Sequence, residues 1–379
     1  MAFEKQTLTL KADTPGSATE FTIYRIGPPA SPDKVVLQAA LHADELPGVM
    51  LLHHLLPMLV EADERGLLRA RFVVIPLANP LGMAQMLHRH HMGRYDLGTG
   101  VNFNRQWPDL FTQIRTQLAG RLSDEWRFNV NLIRKAVANW LEIQHPRTIA
   151  EELRLHLLRE AHDASFVLDL HCDSDSLIHI FTSPELMPEL QDLADWMGAA
   201  ATLTATDSGG GSFDEVLPQL YRKVAQTNPG KPVPIATQTA TLEYRGVADV
   251  YDAYGADDAV RLFNFFAARR LIEADPGPRP AASSSPTSLD ATDVVRAPGP
   301  GLLAFRVDLG QQVQKGDVIA DLIALDGPEA FVARTPIVTQ ADGFVLTRSL
   351  SKYATRGTHI AKVVGTQPLA SRRGYLLED

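Results

Sequence analysis

The chain has 379 residues, a net charge of −9 and no basic run, so it is long enough for two cores and poorly suited to nucleic acid as its main partner. Its single cysteine, Cys172, rules out an intrachain disulfide and fits a reducing compartment. No apolar stretch is long enough to span a bilayer and the N-terminus lacks the apolar centre of a signal peptide, so the expected location is the cytoplasm, away from membranes.

Residues 1–16 alternate polar and apolar like an edge strand, and residues 34–41, KVVLQAAL, read as a buried strand followed by a helix after Pro47. Between strand and helix stand His42 and Glu45, three apart at a turn where both can face one point. Zinc hydrolases commonly use two histidines and a carboxylate, leaving a fourth position for water, so a third ligand is owed by another segment. His171 is the candidate: it ends the apolar run 165–170 and leads into polar residues. An H-x-x-E pair alone is common by chance, and the set of three carries the expectation. Cys172 has no Cys-His-Asn pattern around it and reads as a small buried residue.

Residues 71–77 form another expected strand, ending at the loop ANPLG. The run His88, Arg89, His90, His91 has no paired carboxylate motif and reads as a solvated loop or helix face. Arg94 follows in MGRYD, and VNFNRQWPD sets Asn104 beside Arg105. A guanidinium fork next to an amide suits bidentate recognition of a carboxylate, and serves equally to cap a loop. Strands are expected over 177–182 and 235–242, and helices notably over 147–162 and 256–272. The alternation predicts, over residues 1–273, an α/β domain whose mixed, mostly parallel sheet is flanked by helices, with a site at the strand C-terminal ends. TLEYRG places Glu243 at such an end, where a carboxylate accepts protons or forms an ordinary salt bridge.

Residues 274–292, rich in Pro, Ala and Ser, read as a linker, and 293–379 as a β-rich unit. Within that unit the stretches from Gly301 and from Gly343 echo each other, each running from a strand to a glycine turn and a second strand. This resembles the small all-β biotinyl/lipoyl, or barrel-sandwich, fold. No lysine lies between Lys315 and Lys352, so a carrier role is not expected.

Taken in order, HADE, NP, NFNR, DLHCD and TLEYRG resemble the succinylglutamate desuccinylase/aspartoacylase family, itself related to the M14 zinc carboxypeptidases, across residues 35–268. The resemblance implies that His42, Glu45 and His171 hold one Zn2+ per chain, that Asn104 and Arg105 clamp a substrate carboxylate, and that Glu243 is the general base. It also implies a carbonyl-polarising arginine, for which Arg94 is chosen and Arg89 is the alternative. The His-rich insertion and the long segment 106–164 depart from the family's compact members and bear on the substrate pocket. The implied activity is deacylation of an N-acyl amino acid or similar small carboxylate, at a carbon–nitrogen bond other than a peptide bond. A carboxypeptidase acting on short peptides is the second reading, with Tyr244, Tyr251 and Tyr254 on offer as its substrate-covering tyrosine, and a binding protein that has lost the chemistry is the third. Asp169 is expected to point away from His171 and is left out of the set. The β-rich unit is expected beside the site as a size gate, and self-association into a homo-oligomer is left open.

Overall fold

A computed structural model describes residues 3–328 and 330–377. Its centre is a nine-stranded sheet in the order Glu4–Leu10, Thr19–Ile26, Arg71–Ile75, Lys34–Ala39, Phe166–Asp173, Gln238–Gly246, His179–Thr182, Ala201–Thr204, Pro286–Ser288. Five of its eight neighbouring pairs run parallel and three antiparallel, the mixed, mostly parallel sheet expected from the alternation of elements. The central strands are covered on both faces, which is why VVLQA and FVLDL are nearly unbroken apolar runs. One face packs Leu37, Leu168 and Leu170 against helices Pro47–Glu64, Met187–Met197 and Asp252–Ala268. The other packs Val36, Val73 and Val167 against Leu110–Leu118, Trp126–Glu142, Ile149–Ala161 and Phe213–Thr227. The first two of these helices occupy much of the long segment 106–164.

Residues 292–365 form a β unit of two antiparallel sheets that share one core, with Val295, Val345 and Val363 from one and Leu303, Ile319 and Ile337 from the other. This unit is stitched to the large sheet. The short strand Asp175–Ser176, just past His171, pairs with Thr347 and Arg348. Leu346 and Val364 pack with Ala201, Leu203 and Leu289. The Pro/Ala/Ser-rich segment runs along this edge: Arg279 Nη2 lies 2.6 Å from Asp195 Oδ2, and Pro286–Ser288 adds the last strand. No helix among the described residues is long and apolar enough to cross a membrane.

Candidate active site

The site forms where the strands Lys34–Ala39, Phe166–Asp173 and Gln238–Gly246 end side by side. After the first strand the chain turns sharply at Ala40, which takes φ +56°. The turn is held by Asn79, whose Nδ2 donates to Leu41 O at 2.9 Å while its Oδ1 caps the short helix Pro80–Met83 through Gly82 N. That gives the NP dipeptide a structural role. On the other side Ala43 N donates to Gly93 O at 3.0 Å, and a Cβ at position 93 would fall 2.2 Å from Asp44 N. Only glycine permits this approach, and it delivers Arg94 to the turn.

His42, Glu45 and His171 meet there, all buried, with candidate ligand atoms within 4.8 Å of one another. The two Glu45 carboxylate oxygens lie 2.9 Å from His42 Nδ1 and 2.8 Å from His171 Nδ1. Each imidazole has its other nitrogen facing an oxygen acceptor: His42 Nε2 lies 2.8 Å from Asn102 Oδ1, and His171 Nε2 lies 2.9 Å from Asp169 Oδ2. Burial opposes charge on His171, but the Asp169 and Glu45 carboxylates raise it well above the ordinary imidazole range, so without a cation both its nitrogens hold protons; a cation would take the place of the Nδ1 proton, where both Nδ1 atoms and the Glu45 carboxylate converge. The residues present therefore fit a metal, with Asn102 Oδ1 and the Asp169 carboxylate beside the outer nitrogens of the two imidazoles that would hold it.

Asp169 corrects the expectation that it points away from His171. Residues two apart on a strand share a face, and Gln38, its register partner, donates from Nε2 to Asp169 Oδ1 at 3.1 Å. Asn102 was missed as well, although it stands in the same VNFN motif as Asn104. Cys172 is buried, gives its backbone N–H to Glu45 Oε2 at 3.2 Å, and burial drives its thiol well above the usual range, so it is no thiolate.

Electrostatics sharpen the picture. Burial alone would raise Glu45, but the imidazoles of His42 and His171 hold it well below the ordinary carboxylate range. Burial and then the Arg94 cation pull His42 down to about 4. Glu243 pairs in register with His171 and has a buried Oε2 with no hydrogen-bond partner among the described residues. Burial, reinforced by the Glu45 carboxylate, raises it to about 8.

A cavity of about 350 Å³ opens over these groups, and its lining includes Arg94, Asn104, Arg105 and Glu243. Arg94 Nη1 lies 2.9 Å from Glu45 Oε1, whereas Arg89 is exposed in the turn between Met86–Leu87 and His90–His91, a small hairpin that carries the His-rich run to solvent. Asn104 spends Oδ1 on Trp107 Nε1 and Phe213 N, at 3.1 and 2.9 Å, so Nδ2 is the atom left for a ligand. Arg105 Nη1 donates to Asn104 O at 2.9 Å. The far wall comes from the β unit, through Arg348, His359 and Lys362. Lys362 Nζ reaches Asp173 Oδ2 at 2.5 Å, and Arg348 Nη2 reaches Asp175 Oδ2 at 3.0 Å. None of these wall residues is marked by local sequence, because they lie far from the motif residues along the chain.

No curated protein matches the sequence. Among solved structures, a protein described as a succinylglutamate desuccinylase/aspartoacylase from Shewanella frigidimarina superposes with a TM-score of 0.81 at 23% identity, covering 97% of this chain and 99% of its own. A succinylglutamate desuccinylase/aspartoacylase from Rhodobacter sphaeroides gives 0.68 at 17% identity, covering 96% of each chain. The ectoine utilization protein EutE (DoeB) from Ruegeria pomeroyi also gives 0.68 at 17% identity, covering 96% and 95%. These likenesses show the shared fold, including the β-rich region. Residues 31–212, which include His42, Glu45 and His171, match the model of the succinylglutamate desuccinylase/aspartoacylase catalytic domain, while Glu243 lies beyond the matched span. Over residues 31–212, a little under half of the chain, the sequence is thus similar to the succinylglutamate desuccinylase/aspartoacylase catalytic domain.

Proposed function

We propose that this chain is a zinc-dependent amidohydrolase that deacylates an N-acyl amino acid or similar small carboxylate, with one zinc held by His42, Glu45 and His171. The observation that carries the reading is the convergence of two Nδ1 atoms and a carboxylate beside the unpartnered Glu243 oxygen, in a cavity that also holds Arg94 and Arg105. Two imidazoles and one carboxylate are a donor set suited to zinc, which when bound supplies Lewis acidity and makes water nucleophilic near neutral pH.

The chain's own residues would do the rest. Glu243, which would be ionised once a bound cation offsets the Glu45 carboxylate that raises it, takes a proton from the attacking water and returns it to the departing nitrogen. Arg94 stabilises negative charge developing on the acyl oxygen. Arg105 and the Asn104 amide hold the substrate carboxylate so that the reacting atoms stay in line.

A deacylase is favoured over a carboxypeptidase for two reasons. The cavity of about 350 Å³ is walled by Arg348, His359 and Lys362 of the β unit, which supports small substrates and the unit's role as a size gate. The tyrosines offered for a peptidase lie elsewhere: Tyr244 is buried with its hydroxyl 3.1 Å from Met197 Sδ, and Tyr251 and Tyr254 are exposed on the Asp252–Ala268 side. The test is a hydrolysis screen of the zinc-loaded protein against N-acetyl and N-succinyl amino acids and dipeptides. Turnover of an N-acyl amino acid that outruns every dipeptide supports the proposal. Faster dipeptide cleavage selects the carboxypeptidase, and full zinc with no amide hydrolysed selects a binding protein.

A further inference from the structure

The stretch 208–211, Ser-Gly-Gly-Gly, separates Arg105 from the segment that follows the β unit. Gly209 takes φ +87°, and a Cβ there would lie 3.1 Å from Tyr375 Cα. A Cβ on Gly210 would lie 2.9 Å from Leu377 Cδ1 and 3.1 Å from both Cδ and Nε of Arg105. The absence of side chains at Gly209 and Gly210 is what lets Arg105 and residues 374–377 come together across the loop. Among the described residues, three contacts support the arrangement. Leu376 N donates to Ser208 O at 2.8 Å, Arg105 Nε donates to the Tyr375 hydroxyl at 3.0 Å, and Leu377 packs with Leu376 against the apolar cluster of Leu203, Leu289 and Leu346. Leu377 also lines the cavity.

A guanidinium is planar, so contacts on Nε and on Nη1 together define both its plane and its direction. Here Tyr375 takes the first and Asn104 O the second. A tyrosine hydroxyl orients the fork without adding a negative charge of its own.

We propose that residues 374–377 are a strap over the carboxylate end of the cavity, in which Tyr375 is a positioning residue that holds Arg105 in its substrate-receiving orientation and Leu377 closes the wall behind it. The proposal rests on the reading of Arg105 as a carboxylate clamp. It predicts that the strap acts on binding through Arg105, and that Arg105 in turn steadies the strap.

The test uses the full chain carrying Glu243→Gln to silence turnover, loaded with zinc and titrated calorimetrically with a panel of N-acetyl amino acids. The titration is made in four forms: parent, Tyr375→Phe, Arg105→Lys, and both together, with hydrogen exchange at the Leu376 amide measured on each. Tyr375→Phe should weaken binding about fivefold with Arg105 present and have little further effect when added to Arg105→Lys, since the two changes remove one shared interaction. Exchange at Leu376 should quicken in both single variants. An equal loss from Tyr375→Phe with and without Arg105→Lys, or unchanged binding and exchange in Tyr375→Phe, overturns the strap. If Arg105→Lys binds as well as the parent, or no N-acetyl amino acid binds the parent, the clamp reading falls and takes the proposal with it. That result is distinct from failure of the strap alone, because the exchange measurement still reports on the Tyr375–Arg105 contact.

Discussion

Replacing Glu243 with glutamine turns one carboxyl into an amide of nearly the same shape, and the consequence for stability follows from its environment. Burial and the nearby Glu45 carboxylate raise Glu243 from 4.5 to about 8. Between those values the folded protein keeps a proton that the unfolded chain has already released, so stability falls as pH rises through that window. One proton corresponds to about 1.4 kcal/mol per pH unit, so the metal-free protein should lose on the order of 2–3 kcal/mol between pH 5 and pH 7 through this group alone. The glutamine variant has no proton to keep and should lack that component. Urea midpoints of chelator-treated wild type and variant, measured from pH 5 to pH 8, isolate it as a difference, since Glu215, raised by burial and Asp214 to about 7, titrates in the same range in both. Zinc adds positive charge beside the carboxyl and should shrink the difference. Parallel curves for the two metal-free proteins would refute the assignment of Glu243 as a proton-retaining group.

Three further outcomes follow from the geometry. Asp169→Ala removes the carboxylate 2.9 Å from His171 Nε2 and should weaken metal binding by about 10- to 100-fold in a chelator competition, with an unchanged affinity counting against its role as the partner of that nitrogen. Gly93→Ala places a methyl 2.2 Å from Asp44 N, against backbone that has no side-chain freedom, and should cost about 1–3 kcal/mol in urea unfolding while displacing Arg94; wild-type stability would mean that the loop relaxes without cost. Arg94→Ala should lower kcat more than it raises KM, while Arg89→Ala, in an exposed hairpin turn, should leave both unchanged; the reverse pattern would transfer the carbonyl-polarising role to Arg89.

Much of this site was legible in the sequence because its parts sit where strands end. His42, Glu45, His171 and Glu243 each follow an apolar run, and apolar runs that are buried on both faces identify a parallel-type sheet from composition alone. Asp169 was readable by the same rule, since alternation along a strand puts residues two apart on one face, and the expectation for it misapplied that period. Helices Leu110–Leu118 and Trp126–Glu142 were missed inside the long segment 106–164, although Leu110, Ile114 and Leu118 in the first and Val130, Ile133, Val137, Trp140 and Leu141 in the second recur at helical spacing. The cavity's far wall was not legible at all. Arg348, His359 and Lys362 are brought to Asp173 and Asp175 by the pairing of Asp175–Ser176 with Thr347 and Arg348, a contact between segments more than 170 residues apart that leaves no local signature. The same holds for Tyr375 against Arg105.

The most direct test of the account is the metal content of the purified protein, by elemental analysis, for wild type and His171→Ala side by side. The account predicts about one zinc per wild-type chain and none in a folded His171→Ala variant, because removing one of three converging ligands leaves His42 and Glu45 alone. A folded wild-type protein that takes up no zinc even after reconstitution would contradict it.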